Sequence, residues 1–167
     1  MTLSVPAFRK HCFFLFFVLI IITLLLSGCR DNSVYAKTLS NGYYAAEAEN
    51  FDANGWKDFV SIYVTNGRIA TVEYNAKNTS GFIKSWDPVY MRNMNASTNN
   101  YPNKYIRDYA SALLRYQNPN LVDAVSGATY SYHNFILLSR AVIEQAQNGN
   151  KEIALVKLLP VKKLSAP

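Results

Sequence analysis

Two runs, residues 59–65 and 68–74, flank the dipeptide Asn66-Gly67 and constrain the fold more than any other stretch of the chain. Both are rich in β-branched and aromatic side chains, which suit a pleated surface, and Asn-Gly supplies the two positive-φ positions of a tight hairpin turn. A two-residue turn places Val64 opposite Ile69 and Ile62 opposite Thr71, so one face of the pair is largely apolar. Residues 42–49 add a neighbouring strand, and residues 152–158 close the sheet as a last one.

What covers the apolar face comes later in the chain. Asp87-Pro88 gives an N-cap followed by proline at the first helical position, predicting a short helix toward Asn95, with residues 96–100 as a loop. Tyr105, Ile106, Tyr109, Leu113 and Tyr116 recur at helical spacing and predict an amphipathic helix stopped by Asn118-Pro119-Asn120. A third helix spans residues 131–148, with Ser131 as its N-cap and Phe135, Leu138, Val142, Ile143 and Ala146 toward the sheet. Strands first and helices interspersed, without regular βαβ alternation, predict an α+β domain: a mainly antiparallel sheet with a central hairpin and about three helices packed on it.

The N-terminus sets the compartment. Arg9 and Lys10 precede fourteen residues, 13–26, that are apolar apart from Thr23, short of the roughly 20 needed to span a bilayer as a helix. This is the pattern of a secretory signal. The tetrad Leu26-Ser27-Gly28-Cys29 resembles a bacterial lipobox, which implies cleavage before Cys29 and acylation of its thiol. The competing reading is an uncleaved N-terminal anchor, and both put the rest of the chain outside the cytoplasm. Multiple acyl chains make such an anchor durable. The expected organisation is a signal over residues 1–28, a lipidated Cys29 with a polar tether over 29–40, one domain over 41–160 and a basic tail over 161–167. Cys12 leaves with the signal and Cys29 takes lipid, so no thiol remains for a disulfide, a metal cluster or a nucleophile. Losing Arg9 and Lys10 takes the formal charge from +6 to +4. An exported chain of mild charge without an Arg/Lys-aromatic recognition motif has no expected nucleic-acid partner.

Function is concentrated in the heptad Asp123-Ala124-Val125-Ser126-Gly127-Ala128-Thr129. The pattern Asp-x-x-Ser/Thr-Gly-Ala-Thr arises by chance at roughly one position in a million. Gly127 and Ala128 leave almost no side chain beside the Thr129 hydroxyl, so a bulky partner can approach closely. The helix that follows offers a phosphate its unsatisfied N–H groups and the positive end of its dipole. A loop and helix cap, in which Asp123, Ser126 and Thr129 serve turn chemistry alone, is the alternative.

The heptad resembles the flavin-attachment motif of the FMN-binding domain family, which includes the covalent-FMN subunits of sodium-pumping NADH:quinone reductase and of Rnf complexes. The resemblance implies a phosphoester between FMN and Thr129, installed from FAD by a flavin transferase with Mg2+ assisting and AMP leaving. Asp123, Ser126, Gly127 and Ala128 match the other fixed positions, and Ser131 a frequent downstream Ser or Thr. Asn41-Gly42-Tyr43-Tyr44 resembles the family's opening Asp-Gly-x-Tyr strand, with Asn41 in place of Asp, and residues 56–74 its central hairpin.

A phosphate fixes one end of the flavin, and the ring needs an apolar or aromatic surface. Trp56, Trp86, Tyr90, Met91 and Met94 are candidates, with Trp86 and Met94 the principal pair, and Lys84 could offset charge on reduced flavin. Core packing is the alternative for all the aromatics and methionines. His133 on the third helix is read as exposed rather than catalytic, and no metal site is expected. The resemblance and the signal together imply a lipid-anchored electron carrier on the extracytoplasmic face of the cell membrane. It would be a substrate of the flavin transferase and would pass electrons between a membrane electron-donor complex or quinone-linked reductase and external acceptors. The alternatives are a subunit or accessory of a membrane oxidoreductase complex, or a surface-binding lipoprotein with noncovalent flavin or none.

Overall fold

The computed structural model describes residues 38–160. The signal, Cys29, most of the tether and the tail over 161–167 lie outside the described residues. Three strands come first: β1 (Gly42–Ala48), β2 (Lys57–Thr65) and β3 (Arg68–Lys77). A 3-10 turn (Lys84–Trp86) leads to α1 (Pro88–Thr98), then α2 (Pro102–Tyr116), a second 3-10 turn (Pro119–Leu121), α3 (Thr129–Asn148) and β4 (Ala154–Val156). The sheet order is β3-β2-β1-β4, antiparallel except for β4, which runs parallel to β1. This is the expected α+β architecture with a central hairpin and three helices.

Asn66 and Gly67 both have positive φ, 52° and 71°, as a tight two-residue hairpin turn requires. Val64 faces Ile69 as expected, but a bulge follows: Tyr63 pairs with Thr71 and Ile62 with Val72, not Thr71. The bulge leaves Ala70 unopposed and shifts the inward parity of β3 by one residue. Ile69 is buried before it, and Tyr74 and Ala76 are buried after it. At this sheet edge the Gln117 amide accepts from the Ile69 N–H at 2.8 Å and donates to the Ile69 carbonyl at 3.0 Å. The side chain substitutes for a missing strand and satisfies an otherwise open edge.

The inward face of the sheet carries Tyr44 and Ala46 from β1 and Val60, Ile62 and Val64 from β2. Against it α2 presents Tyr105, Tyr109 and Leu113, and α3 presents Phe135, Leu138, Val142, Ile143 and Ala146, all buried. The Asp87 carboxylate caps α1, accepting from the Val89 and Tyr90 N–H groups at 2.9 Å, with Pro88 at the first helical position. The helix continues through Thr98, where a loop was expected. Ser97 and Thr98 turn their hydroxyls back to the Met94 carbonyl, at 3.0 and 2.9 Å, which satisfies polar side chains without breaking the helix.

The 20 residues of α3 span about 30 Å and set two poles. At its C-terminal end the Ser40 N–H donates to the Ala146 carbonyl at 2.9 Å, so the chain enters the domain there. At the other end stands Thr129.

Candidate functional site

Thr129 is the first residue of α3 and is exposed. The expected N-cap was Ser131, but the cap position is Ala128, and Ser131 is the third helical residue. The helix starts early because the preceding loop is already held shut. The Ala128 N–H donates to the Val125 carbonyl at 3.0 Å, closing a turn whose third residue, Gly127, has φ +76°, a conformation that favours glycine. With Ala128 as cap, no side chain bonds the first-turn N–H groups of α3. They are left to a ligand or solvent.

Three buried side chains fix this loop. The Tyr109 hydroxyl accepts from the Val125 N–H at 3.0 Å and donates to the Ala128 carbonyl at 3.3 Å. Asn100 donates to the Ser126 carbonyl at 2.8 Å. Tyr74, on β3, donates to the Ser131 carbonyl at 3.0 Å. Burial pushes the Tyr109 phenol up to about 12, so it stays protonated and able to donate at neutral pH. The small residues of the heptad serve this packing. A Cβ on Gly127 would stand 2.8 Å from the Thr98 carbonyl oxygen, and Ala128 is buried in the core. The end of α1 closes against one side of Gly127, while Gly127 and Ala128 line the open space beside Thr129, as expected.

A cavity of about 270 Å³ runs from Thr129 and Ser131 past Tyr90, Met94 and Tyr105 to Asp58 and Lys84. Asp58 occupies an inward position of β2, two residues before Val60, and accepts from Asn134 at 2.6 Å. Burial pushes its carboxyl up, opposed chiefly by the Lys84 charge and the Asn134 hydrogen bond. Lys84 is buried with its ammonium over the Tyr90 ring, 4.8 Å from the centroid. Burial pulls its pKa down, but the Tyr105 and Asp58 oxygens, with Tyr90 and Asp52, outweigh that and hold it above the ordinary lysine value.

The expected ring-contacting residues separate. Met94 and Tyr90 line the cavity, whereas Trp86 is 67% exposed and does not. In a 3-10 turn successive side chains rotate by about 120°, so Lys84 and Ser85 face inward and Trp86 outward. Trp56 is buried edge-on to Tyr90, with centroids 5.8 Å apart, and Met91 does not line the cavity. Asp123 and Ser126 are exposed on the loop outside it. His133 is exposed, edge-on to Tyr132.

Asp58, Asn134 and Asn100 belong to no sequence motif. Asp58 had a signal, since it continues the inward alternation of Val60, Ile62 and Val64. Asn134 sits one turn before Leu138 on the buried face of α3. Asn100 stood inside a stretch read as loop and carried none.

An exposed hydroxyl at the uncapped start of a helix, opening onto a cavity with aromatic, thioether and buried cationic walls, defines a small cofactor-holding α+β domain. The chain belongs to the FMN-binding domain family, whose model matches residues 55–148, more than half of its length. It is 40% identical over 131 residues to a 15 kDa lipoprotein of Treponema pallidum (strain Nichols), covering 78% of this chain and 89% of that one. A crystal structure of a Clostridium perfringens protein superposes with a TM-score of 0.70 at 31% identity, covering 72% of this chain and 99% of that one.

The residues present fit the cofactor that the family name specifies. A cavity of about 270 Å³ lies near the lower end of the usual range for small-molecule sites. It suits a flat ring system better than a whole nucleotide, with the remainder emerging at exposed Thr129.

Proposed function

We propose that this chain is a lipid-anchored flavoprotein on the extracytoplasmic face of the membrane. It carries one FMN as a phosphoester on Thr129 and transfers electrons between a membrane reductase and external acceptors. The observation that carries this reading is the position of Thr129, exposed at the rim of the cavity and at the start of α3. A flavin transferase reaches an exposed hydroxyl without unfolding the domain. The Thr129 oxygen bonds to the FMN-side phosphorus of FAD, the pyrophosphate bridge breaks, AMP leaves and the hydroxyl proton is lost. Asp123 and Ser126, exposed on the same loop, are available for recognition by that enzyme.

The chain's own residues then hold and orient. The free N–H groups at the start of α3 would hold the phosphate, with the helix dipole adding positive potential. Tyr90 and Met94 offer a wall for the ring, and Tyr109, Asn100 and Tyr74 keep the loop from moving. The flavin supplies the redox chemistry.

The lipoprotein relative supports the anchor on Cys29, and the poles of the domain support the carrier role. The tether enters beside Ala146, while Thr129 lies a helix length of about 30 Å away. Acylation at Cys29 would keep the domain at high local concentration at the membrane, near a membrane-bound donor. The test is to reduce the flavinylated full-length chain with donor membranes and reoxidise it with a soluble acceptor. Stoichiometric reduction and reoxidation of the bound flavin support the carrier. Steady turnover of a small-molecule substrate by the purified chain alone would contradict it.

A further inference from the structure

Lys84 is 6% exposed, yet its ammonium faces the cavity with no acidic group bonded to it. Both ion pairs among the described residues belong to Glu47. The surroundings of the Lys84 Nζ are the ring faces of Tyr90 at 4.8 Å and Trp56 at 5.9 Å. Aromatic faces offset part of the hydration an ammonium loses on burial, but not all of it. Asp58 and Asp52 act on Lys84 through their charge, but their hydrogen bonds are made to other groups. Asp58 accepts from Asn134 at 2.6 Å, and Asp52 accepts from the Asn54 and Trp56 N–H groups at 2.8 Å.

A second source of positive potential opens onto the same space. Thr129 and Ser131, from the first turn of α3, line the cavity, and that helix end has no side-chain cap. The two sources lie at different depths. Thr129 is exposed at the rim, where a phosphate would keep much of its hydration, whereas Lys84 is buried beneath aromatic rings.

We propose that Lys84 is the counter-charge for the flavin ring in its reduced form and so sets the potential of the cofactor. The inference rests on the flavin reading above and deepens it. The oxidised ring is neutral. Two electrons from a reductant, dithionite in the experiment below, and one proton from water leave the ring with one negative charge. A buried ammonium facing that charge stabilises the reduced ring over the oxidised one and raises the potential.

The experiment uses the full-length chain co-expressed with a flavin transferase, as wild type, Lys84→Met and Lys84→Arg. Intact mass first establishes the adduct, and reductive titration against a reference dye then gives the midpoint potential. Lys84→Met should weaken the preference for the reduced ring at least tenfold, a fall of about 30 mV for a two-electron couple. Lys84→Arg should stay close to wild type. An unchanged potential in folded, flavinylated Lys84→Met would overturn the proposal, as would an equal fall in Lys84→Arg. Should Lys84→Met not fold, Lys84→Gln takes its place against Lys84→Arg with the same criteria. Absence of adduct on wild type would count against the carrier reading, and Lys84 is then tested with free FMN. The wild-type chain should bind dithionite-reduced FMN at least tenfold more tightly, relative to oxidised FMN, than Lys84→Met does. Equal ratios would overturn the role of Lys84.

Discussion

The carbonyl oxygen of Thr98 lies 2.8 Å from where a Cβ on Gly127 would stand, so the last turn of α1 rests directly on the loop that presents Thr129. Gly127 also has φ +76°. Gly127→Ala therefore meets backbone strain and a backbone clash together, at a cost of about 1–3 kcal/mol. Urea unfolding of the variant should show a lower midpoint at unchanged slope, and flavin attachment should fall because the loop no longer seats. A variant as stable and as readily flavinylated as wild type would mean that α1 yields freely at this contact.

Tyr109 ties the same loop from below. Tyr109→Phe keeps the ring, which stacks on Phe135 at 5.4 Å between centroids, and removes the hydroxyl that serves Val125 and Ala128. The Ala128 carbonyl still accepts from the Tyr132 N–H at 2.9 Å, but the Val125 N–H is left unsatisfied, at a cost of about 1–3 kcal/mol. Hydrogen exchange should quicken at the Val125 amide while the sheet amides keep their protection relative to global stability. An unchanged Val125 rate would show that the hydroxyl does not hold the loop.

The opposite face of the sheet carries a pH-dependent contribution. Glu47 on β1 accepts from Lys57 at 2.7 Å and from Lys77 at 2.8 Å. Those two hydrogen bonds, the Lys57 one first, outweigh burial and hold its carboxyl below the ordinary value of 4.5. A depressed folded-state pKa contributes stability above the unfolded value and loses it as pH falls through the folded value. From about pH 4.5 downward, wild type should lose more stability than Glu47→Gln, and the gap between them at neutral pH should narrow. Parallel stability curves for the two proteins down to pH 2.5 would contradict the pairing.

Much of this architecture was legible from periodicity and turn chemistry. Asn66-Gly67 marked the hairpin, Asp87-Pro88 the start of α1, and Phe135, Leu138 and Val142 the buried face of α3. The illegible parts are those decided by contacts distant in sequence. Nothing local marks Ala70 as a bulge, because the shift pays off only where Tyr74 and Ala76 reach the core. Ser131 is the better cap by intrinsic preference, but Tyr109, 20 residues before the α3 start, and the glycine turn fix the helix start at Thr129. Trp86 looked like a ring contact beside Lys84, and the 3-10 turn separates the two. Thr129 itself was legible because its motif is local, whereas the cavity it borders is assembled from β2, all three helices and the turn holding Lys84.

The central claim, that Thr129 carries the flavin, is tested most directly by intact mass and peptide mapping of the full-length chain co-expressed with a flavin transferase, as wild type and as Thr129→Val. Because Thr129 is exposed, the substitution should leave the fold nearly intact. Wild type should gain the mass of one FMN less one water, confined to the peptide containing Thr129, and Thr129→Val should gain none. No adduct on wild type, or an adduct retained by Thr129→Val and mapped to Ser126, would contradict the account.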